Sequence, residues 1–530
     1  MKKFFFIIFI ISVFLLQTSC TNSDKQKKHL NISFSSEPFT KDPRKSGDFS
    51  TSAISFLLFS GLTETTPSGN IEKALAEKIE ISKDKKTYTF FLKEAKWSDG
   101  TPITAYDFEY SWKKVIDPNF SSLCPHLFYP IKNVEKIISK KLPIAEAGFY
   151  AINDKTFIVE LENPNPNFLS LISFCVFFPI PKHIEISDPN WSQNISKPFV
   201  SSGPFLLEKW GQNSKIQLRA NPYFYNAKAM DIHSLTVHII PDANTALNMF
   251  YQNELDWQGS FISPLPEDSY ESLIKQNLLK TKNLAGLTFC TYNLNKYPFH
   301  NANLRKAFSS AVNKEEIIKN ISPLNEDIAN QFIPSAFEDY PQTSTLQYDL
   351  DKAKKYFELA LNELGINKDD LELKFSYCAK EKLKRVSLIL KEQWEKAFNI
   401  SIELQQQETT TGISNFHKKN YQFGLCYLVA QYNDPLNVFD RFKYPENPKN
   451  YPGWNNINYQ NFLNEAIETP SQKKRNQLLK QAEMILLEEL PITPLYFHKI
   501  GFIAQKHNYD NFIGPLGDLH FEKIKIKGSK

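Results

Sequence analysis

The feature that most constrains the fold is a strand-turn-helix pattern between residues 86 and 115. Residues 87–92 alternate between two faces, which predicts a strand with one buried side. An Asp-Gly dipeptide at 99–100 predicts a tight turn, because glycine accepts positive φ without steric cost. Thr104 and Asp107 have the spacing of a capping box at the start of an amphipathic helix. By itself this pattern is a fold fragment and indicates no activity.

The length and charge of the chain limit the classes of protein to which it can belong. At 530 residues it is too long for one hydrophobic core and should divide into two or three domains. A net charge of +4 is too small for the clustered basic face of a nucleic-acid-binding protein. The ten histidines are scattered, and we find no H-E-x-x-H, G-x-S-x-G, Walker or G-x-G-x-x-G motif. We therefore predict no catalytic residues, no metal site and no cofactor.

The amino terminus has the pattern of an export signal over residues 1–20. Two lysines precede an apolar run at 4–16, which is too short to span the ~30 Å hydrocarbon core of a bilayer comfortably. Small residues stand directly before Cys20, as at a bacterial lipoprotein cleavage site. Gln17 occupies a usually aliphatic position, which bears on the efficiency of lipidation; an ordinary secretory signal with an incidental cysteine is the alternative. If Cys20 is lipidated, its acyl chains anchor the protein to a membrane, with polar residues 21–29 as a tether.

Several motifs resemble the signature of one family. The sequence WSDGTPITAYDF at 97–108 resembles the W-S-D-G-T-P-(I/V)-T-A-x-D-F signature of peptide-type extracellular solute-binding proteins. That family is the oligopeptide- and dipeptide-binding component of bacterial ABC transporters. Further segments resemble other elements of the family: SSGPF at 201–205, NPYF at 221–224, the stretch 286–308 and YNDP at 432–435. The resemblance covers nearly all of residues 30–525.

The resemblance implies an α/β, two-lobed fold of the periplasmic-binding-protein kind, with mixed sheets, three domains and a discontinuous first domain. Two lobes joined by several crossing strands can close over a ligand by hinge motion. The expected boundaries are 30–60 for the first part of domain I, 61–194 for domain II, 195–285 for the second part of domain I, 286–504 for domain III (the second lobe) and 505–530 for the return to domain I and the tail.

The signal for ligand binding lies in the loop 424–440. In oligopeptide-binding members of the family, the Asp of an A-D-Y-N-(D/E)-P motif pairs with the α-ammonium group of the ligand, and here Gln431 occupies that position. A neutral amide cannot make the charge-assisted hydrogen bond that a carboxylate makes. Two hypotheses follow. Either a nearby acid such as Asp434, Asp440 or Glu37 binds the amine, or the ligand lacks a free α-ammonium group, as a modified murein peptide does.

The residues expected to bind the ligand are Glu37, Tyr427, Gln431, Tyr432, Asn433 and Asp434. Glu37 is included because its segment resembles the ligand-facing S-E-x-x-x-x-D-P segment of the family, and a solvated loop charge is the alternative. The two tyrosines would either stack on the ligand or pack in the core.

Five cysteines remain after Cys20, so at least one of them has no partner within the chain. Some relatives carry one disulfide, and the resemblance places Cys290 and Cys426 near its two ends. A Cys290–Cys426 disulfide is therefore a hypothesis. The alternative is that both cysteines are small buried apolar residues.

We therefore predict a substrate-binding lipoprotein of an ABC importer, not an enzyme. It is expected to capture oligopeptides in a cleft between two lobes and to deliver them to an ABC permease in the inner membrane. A modified murein peptide or another non-standard solute is the alternative ligand, and an exported hydrolase is the alternative class. We expect a periplasmic monomer, anchored to a bacterial membrane through lipidated Cys20 and without nucleic-acid partners.

Overall fold

The computed structural model describes residues 28–165, 167–193, 198–321, 323–342, 346–430, 432–469, 471–505 and 512–525. These residues form two compact units. The first contains the described residues up to Lys280 and from Gly501 onward, and the second runs from Thr281 to Ile500. Among the described residues, no helix is both long enough and apolar enough to cross a membrane.

The strands are β1 (His29–Phe34), β2 (Thr63–Thr65), β3 (Ile71–Lys73), β4 (Ala76–Ile81), β5 (Thr87–Leu92), β6 (Phe149–Asn153), β7 (Thr156–Glu160), β8 (Phe205–Trp210), β9 (Lys215–Ala220), β10 (Ser234–Ile239), β11 (Trp257–Gly259), β12 (Lys280–Tyr292), β13 (Leu373–Cys378), β14 (Ile402–Gln407), β15 (Phe423–Val429) and β16 (Ile492–Ala504). The helices of the first unit are α1 (Phe49–Leu58), α2 (Ala105–Ile116), α3 (Val134–Ile138), α4 (Phe168–Leu171), α5 (Lys182–Ser187), α6 (Ala243–Tyr251) and α7 (Tyr270–Lys275). The helices of the second unit are α8 (Ala302–Ser310), α9 (Lys314–Ile321), α10 (Leu350–Leu364), α11 (Glu381–Phe398), α12 (Thr409–His417), α13 (Leu436–Phe439), α14 (Ile457–Glu468) and α15 (Gln472–Glu489).

One sheet of the first unit has the strand order β16, β11, β1, β10, β9 and β8, with residues 502–504 of β16 paired to β11. β1 runs parallel to β10, with Ile32 opposite Val237, whereas β10, β9 and β8 are antiparallel neighbours. Ile32, Val237 and Phe34 are fully buried. This sheet is therefore mixed, and its core comes from the alternating apolar residues of its strands.

A second, antiparallel sheet of the first unit has the order β4, β5, β7 and β6. Helix α2 packs on it and starts with the predicted capping box, in which Thr104 N donates to Asp107 Oδ2 at 2.8 Å. Trp112 of α2 is fully buried, and its indole N–H donates to Phe177 O at 2.7 Å. The strand, turn and capped helix predicted for 86–115 are confirmed.

The second unit contains a mixed sheet in the order β14, β13, β15, β12 and β16. β13 is parallel to β14 and β15, and β12 is antiparallel to β15. Phe308 of α8 and Trp394 of α11 each lie 5.7 Å from Phe423 of β15, between ring centres. Trp394 also donates its indole N–H to Phe308 O at 2.9 Å. These aromatic contacts fix two helices to one face of the sheet, and the α/β class with mixed sheets is confirmed.

The sequence predicts one helix over 302–319, but the structure has two, α8 and α9, separated by residues 311–313. The side chain of Asn313 accepts a hydrogen bond from Glu316 N at 3.1 Å. An Asn side chain that caps a backbone N–H starts a new helix instead of continuing the previous one.

The sequence also predicts one extended segment over 152–161, but it forms the turn and second strand of a hairpin made by β6 and β7. Asn153 Oδ1 accepts a hydrogen bond from Lys155 N at 2.9 Å. This local bond reverses the chain, because an Asn side chain can close a turn two residues ahead.

The expected domain boundaries stay a prediction. The second unit spans 281–500, where domain III is expected over 286–504. The β4–β7 sheet lies entirely within 61–194, where domain II is expected. The structure groups that sheet with the rest of the first unit, so the division between domains I and II is still to be tested.

Candidate functional site

Residues 424–429 of the stretch expected to bind ligand belong to β15, the central strand of the sheet in the second unit, and the rest of the stretch follows that strand. β15 lies between β13 and β12, and Tyr427 of β15 lies opposite Thr288 of β12. After the turn at 432–435 the chain enters α13. Because β15 is paired on both edges, the loop leaves the sheet from a rigid position, which is the usual arrangement of a binding loop.

Tyr427 has the best-defined surroundings of the expected ligand residues. Its side chain is 37% exposed. Lys380 Nζ donates to the Tyr427 hydroxyl oxygen at 2.8 Å and lies 4.8 Å from the ring centre. An aromatic ring that is held in place and partly open to solvent can stack on a ligand. Its role in binding stays a prediction.

Two polar side chains, those of His498 and Thr288, lie beside Tyr427 on the same sheet. His498 has its ring centre 6.2 Å from that of Tyr427, and its Nε2 lies 2.9 Å from Thr288 Oγ1. Burial and then the charge of Lys382 lower the pKa of His498 to about 3, so its imidazole is neutral at neutral pH. Gly286 allows the close approach of His498, because a Cβ there would lie 2.7 Å from Nδ1.

The Asp434 carboxylate of the loop forms an ion pair with Arg475 of α15. Arg475 Nη2 lies 2.7 Å from its Oδ1 and 2.8 Å from its Oδ2, and Leu436 N donates to Oδ1 at 2.8 Å. The two side chains are only 16% and 9% exposed. Both oxygens of Asp434 therefore already accept hydrogen bonds, and the pair ties the loop to α15.

Glu37 lies in the first unit, after β1. Its Oε1 accepts a hydrogen bond from Trp210 Nε1 at 2.6 Å, and its Oε2 accepts one from Asn213 N at 2.9 Å. Like Asp434, this carboxylate already has a donor on each oxygen. Its role as a ligand residue stays a prediction.

Asp440 differs from these two acids. Burial raises its pKa to about 6, against the lowering effect of Lys443. Its Oδ1 is buried and has no hydrogen-bond partner in the described part of the chain. Asp440 is therefore the acid of the loop with an acceptor still to satisfy.

The remaining expected ligand residues are only partly described. Tyr432 O accepts a hydrogen bond from Asp434 N at 2.9 Å, and Tyr432 and Asn433 are both half-buried. Gln431 lies outside the described residues. Cys20, the rest of 1–20 and most of the tether 21–29 also lie outside them, so the export and lipidation hypotheses stay predictions.

The structure corrects the disulfide hypothesis, because Cys290 and Cys426 are both free thiols. On the paired strands β12 and β15, Cys426 lies opposite Phe289, and Cys290 lies opposite Leu425. Successive side chains of a strand point to opposite faces, so the two sulfurs lie on opposite sides of the sheet. Burial raises the pKa of both thiols, which behave as the small buried apolar residues of the alternative.

Sequence reasoning missed Lys380, His498 and Arg475 beside the loop. They come from a helix N-terminus, from β16 and from α15. They lie far from the loop along the chain and so left no local signal, and only the strand order together with helix packing brings them to it. Across the described residues, no group of three or more His, Cys, Asp or Glu side chains could hold a metal ion.

Comparison with known proteins agrees with this architecture. The chain is 32% identical to the oligopeptide-binding protein OppA of Bacillus subtilis (strain 168), over 99% of this chain and 100% of that protein. A solved structure of Haemophilus influenzae OppA in complex with the peptide RPPGFSPFR is 25% identical, with a TM-score of 0.72 over 94% of this chain and 99% of that one. The unliganded open form of the periplasmic murein tripeptide-binding protein MppA has a TM-score of 0.83 over 94% and 97% of the two chains. Its identity of 24% shows a shared fold.

A family model also covers much of the chain. Residues 70–450 match the model described as bacterial extracellular solute-binding proteins, family 5 Middle. This match spans the capped helix α2 and the whole of the ligand loop 424–440, and it agrees with the motif resemblance. The chain therefore belongs to the bacterial extracellular solute-binding proteins of family 5.

Proposed function

We propose that this protein is the substrate-binding component of an ABC importer, and that it captures oligopeptides and delivers them to a membrane permease. The observation that carries the proposal is the match to an oligopeptide-binding relative over 99% of this chain. The partly exposed ring of Tyr427, fixed by Lys380 at 2.8 Å, supports it as a surface on which a ligand can stack.

Binding of this kind leaves the ligand chemically unchanged. All peptides share the same main-chain donors and acceptors, so pairing with strand edges tolerates many sequences. Water in roomy side-chain pockets adapts to different ligand groups. This mode accounts for a binding protein that takes peptides as a class.

The test is to purify the protein from native cells and identify the bound compound by mass spectrometry. We expect intact peptides, and a Tyr427→Ala variant that binds them at least about tenfold more weakly by calorimetry. Tyr348→Ala is the matched control, because Tyr348 is an exposed tyrosine of the same unit. Recovery of cleaved products from an added peptide would instead identify a hydrolase.

We propose as a second candidate that the ligand has a blocked amino end, as a modified murein peptide does. Two of the three acids that could replace the amine-binding Asp, namely Glu37 and Asp434, already have a donor on each oxygen. A Gln431→Asp variant decides the matter: with a blocked native ligand, it should improve binding of ordinary free peptides relative to that ligand. If the variant shows an unchanged preference between free peptides and the native ligand, Gln431 does not determine the choice of ligand.

We also propose that the protein is exported, anchored to a membrane through lipidated Cys20, and monomeric. The sequence at 1–20 supports this with its basic start, apolar run and small residues before Cys20. A Cys20→Ala variant should lose membrane partitioning in cell fractionation. Light scattering of the purified protein should give the mass of one chain.

A further inference from the structure

Three phenylalanines of the first unit, Phe39, Phe49 and Phe261, expose large apolar side chains to solvent. Phe39 is 80% exposed, Phe49 is 58% exposed and Phe261 is 38% exposed. The rings of Phe49 and Phe261 stack on each other, with their centres 4.6 Å apart. Apolar surface in water is unfavourable, and a patch of exposed large apolar side chains marks a binding surface. We call these three side chains the phenylalanine cluster.

Hydrogen bonds join the three segments that carry the cluster. The segment after β1 is tied to the segment after β11, because Ser35 N donates to Ile262 O at 2.6 Å. It is also tied to the first turn of α1, because Phe39 N donates to Thr51 Oγ1 at 2.9 Å. Helix α1 begins at Phe49. The three segments therefore form one continuous part of the surface, although they lie far apart in the sequence.

The phenylalanine cluster lies at the carboxyl ends of parallel strands. β1 runs parallel to both β10 and β11, so the carboxyl ends of the three strands lie at one edge of the sheet. Phe39 follows the end of β1, and Phe261 follows the end of β11. In open α/β sheets, ligands bind in the crevice outside the carboxyl ends of the strands. This position favours a ligand as the occupant of the cluster.

The backbone that carries Phe39 is fixed before any ligand binds. Pro38 is buried, and its ring fixes the φ angle of the residue directly before Phe39. One residue further back in this segment, on the other side of Glu37, Ser36 Oγ lies 3.0 Å from Ser50 Oγ of α1. A segment that is already ordered loses less conformational entropy when a ligand binds to it. Contact with the cluster can therefore add to the affinity instead of paying for the ordering of a loop.

We propose that the phenylalanine cluster is an apolar subsite that binds one large aliphatic or aromatic side chain of the peptide ligand. Removal of both apolar surfaces from water and stacking on the rings supply the affinity. A water-filled pocket adapts to many side chains, but an aromatic surface rejects a polar side chain that loses its hydrogen bonds there. The protein therefore selects its peptides by the side chain at one position, in addition to the sequence-tolerant pairing of main chains. This inference rests on the proposed function and names the class of side chain that one part of the first unit selects.

The test uses alanine-based pentapeptides that carry Phe, Leu or Gln at a single position, which is moved along the peptide. Calorimetry on the wild-type protein should show one position at which the Phe and Leu peptides bind about 10- to 100-fold more tightly than the Gln peptide. A photoreactive benzophenone side chain at that position should then crosslink to residues 35–51 or 260–262. Crosslinks confined to other segments would overturn the inference.

Variants then assign this preference to the cluster. A variant that combines Phe39→Ser, Phe49→Ser and Phe261→Ser should bind the Phe and Gln peptides with nearly equal affinity, because the apolar surface is gone. The same three positions changed to Leu should keep most of the preference. Ile186→Ser is the control, because it removes an exposed apolar side chain of α5 in the same unit, and it should leave the preference unchanged. Circular dichroism checks that each variant is folded.

The outcomes separate this inference from the proposed function. If wild-type protein binds the Phe, Leu and Gln peptides equally at every position, the inference is overturned and the proposed function stands, whether or not the variants fold. If the serine variant keeps the full preference, the cluster is not its source, which also overturns the inference. Equal peptide binding together with wild-type dimers that the serine variant does not form would overturn it too, and would assign the cluster to self-association. If none of the peptides binds, both the inference and the proposed function fail.

Discussion

Gly424 of β15 passes so close to Ser376 of β13 that a Cβ at position 424 would lie 2.4 Å from Ser376 O. The aromatic ring of Phe416 closes the same space, with its nearest atoms at 2.9 Å from that point. The central strand of the second unit can therefore pack in this way only because residue 424 has no side chain. This position lies at the start of the stretch that we propose binds the ligand.

Gly424→Ala should destabilise the second unit by about 1–3 kcal/mol, because backbone at 2.4 Å cannot yield as a side chain can. Urea unfolding followed by circular dichroism measures the change. Gly211→Ala is the control, since its nearest atom would be at 3.3 Å, and it should cost much less. Equal effects of the two substitutions would contradict the packing argument.

Arg475→Met should destabilise the protein by about 2–4 kcal/mol, because it leaves the mostly buried Asp434 carboxylate without its cation. Adding Asp434→Asn to the same chain should recover part of the loss in urea unfolding. The exposed pair of Lys275 and Glu271 is the control, and Lys275→Gln should cause no measurable change. If the Arg475→Met variant is as stable as wild type, the ion pair does not stabilise the position of the loop.

His520→Gln should destabilise the first unit most at low pH. Burial alone would lower the pKa of His520, but the charges and hydrogen bonds of Asp518 and Glu522 raise it to about 10 from 6.5. The folded state therefore holds the proton more tightly, so this stabilisation is complete below 6.5 and is lost as pH rises through about 10. Thermal unfolding from about pH 6 to about pH 10 should show the gap between variant and wild type closing. A gap independent of pH would mean that His520 acts through packing alone.

Lys314→Met should show the opposite pH dependence. Burial lowers the pKa of Lys314 to about 7 from 10.5, and its Nζ donates to Ala329 O at 2.6 Å. The unfolded state binds this proton more tightly, so wild-type stability rises as pH increases from about 7 to 10.5. The stability of the variant relative to wild type should therefore be highest below about pH 7 and fall by pH 10.

Lys319→Met, on the exposed side of the same helix α9, is the control for this substitution. Its stability relative to wild type should not depend on pH over this range. A parallel response of both lysine variants would contradict the assignment of the effect to burial of Lys314.

Local patterns predicted those parts of the fold that depend on near neighbours in the chain. The capping box of Thr104 and Asp107 is set by residues within one turn, and the structure confirms it. Helix α9 was missed as a separate element because a single bond from Glu316 N to the side chain of Asn313 decides it. The spacing of apolar residues does not predict that bond.

The sequence by itself determined the capped helix α2 and its preceding strand, the α/β class and, through its motifs, the family, because these follow from spacing along the chain. Only the tertiary structure decided which charges meet. It placed Arg475 on Asp434 and put Cys290 and Cys426 on opposite faces. The physical reason is that these outcomes depend on the register between strands and on helix packing, which bring together residues far apart in the sequence.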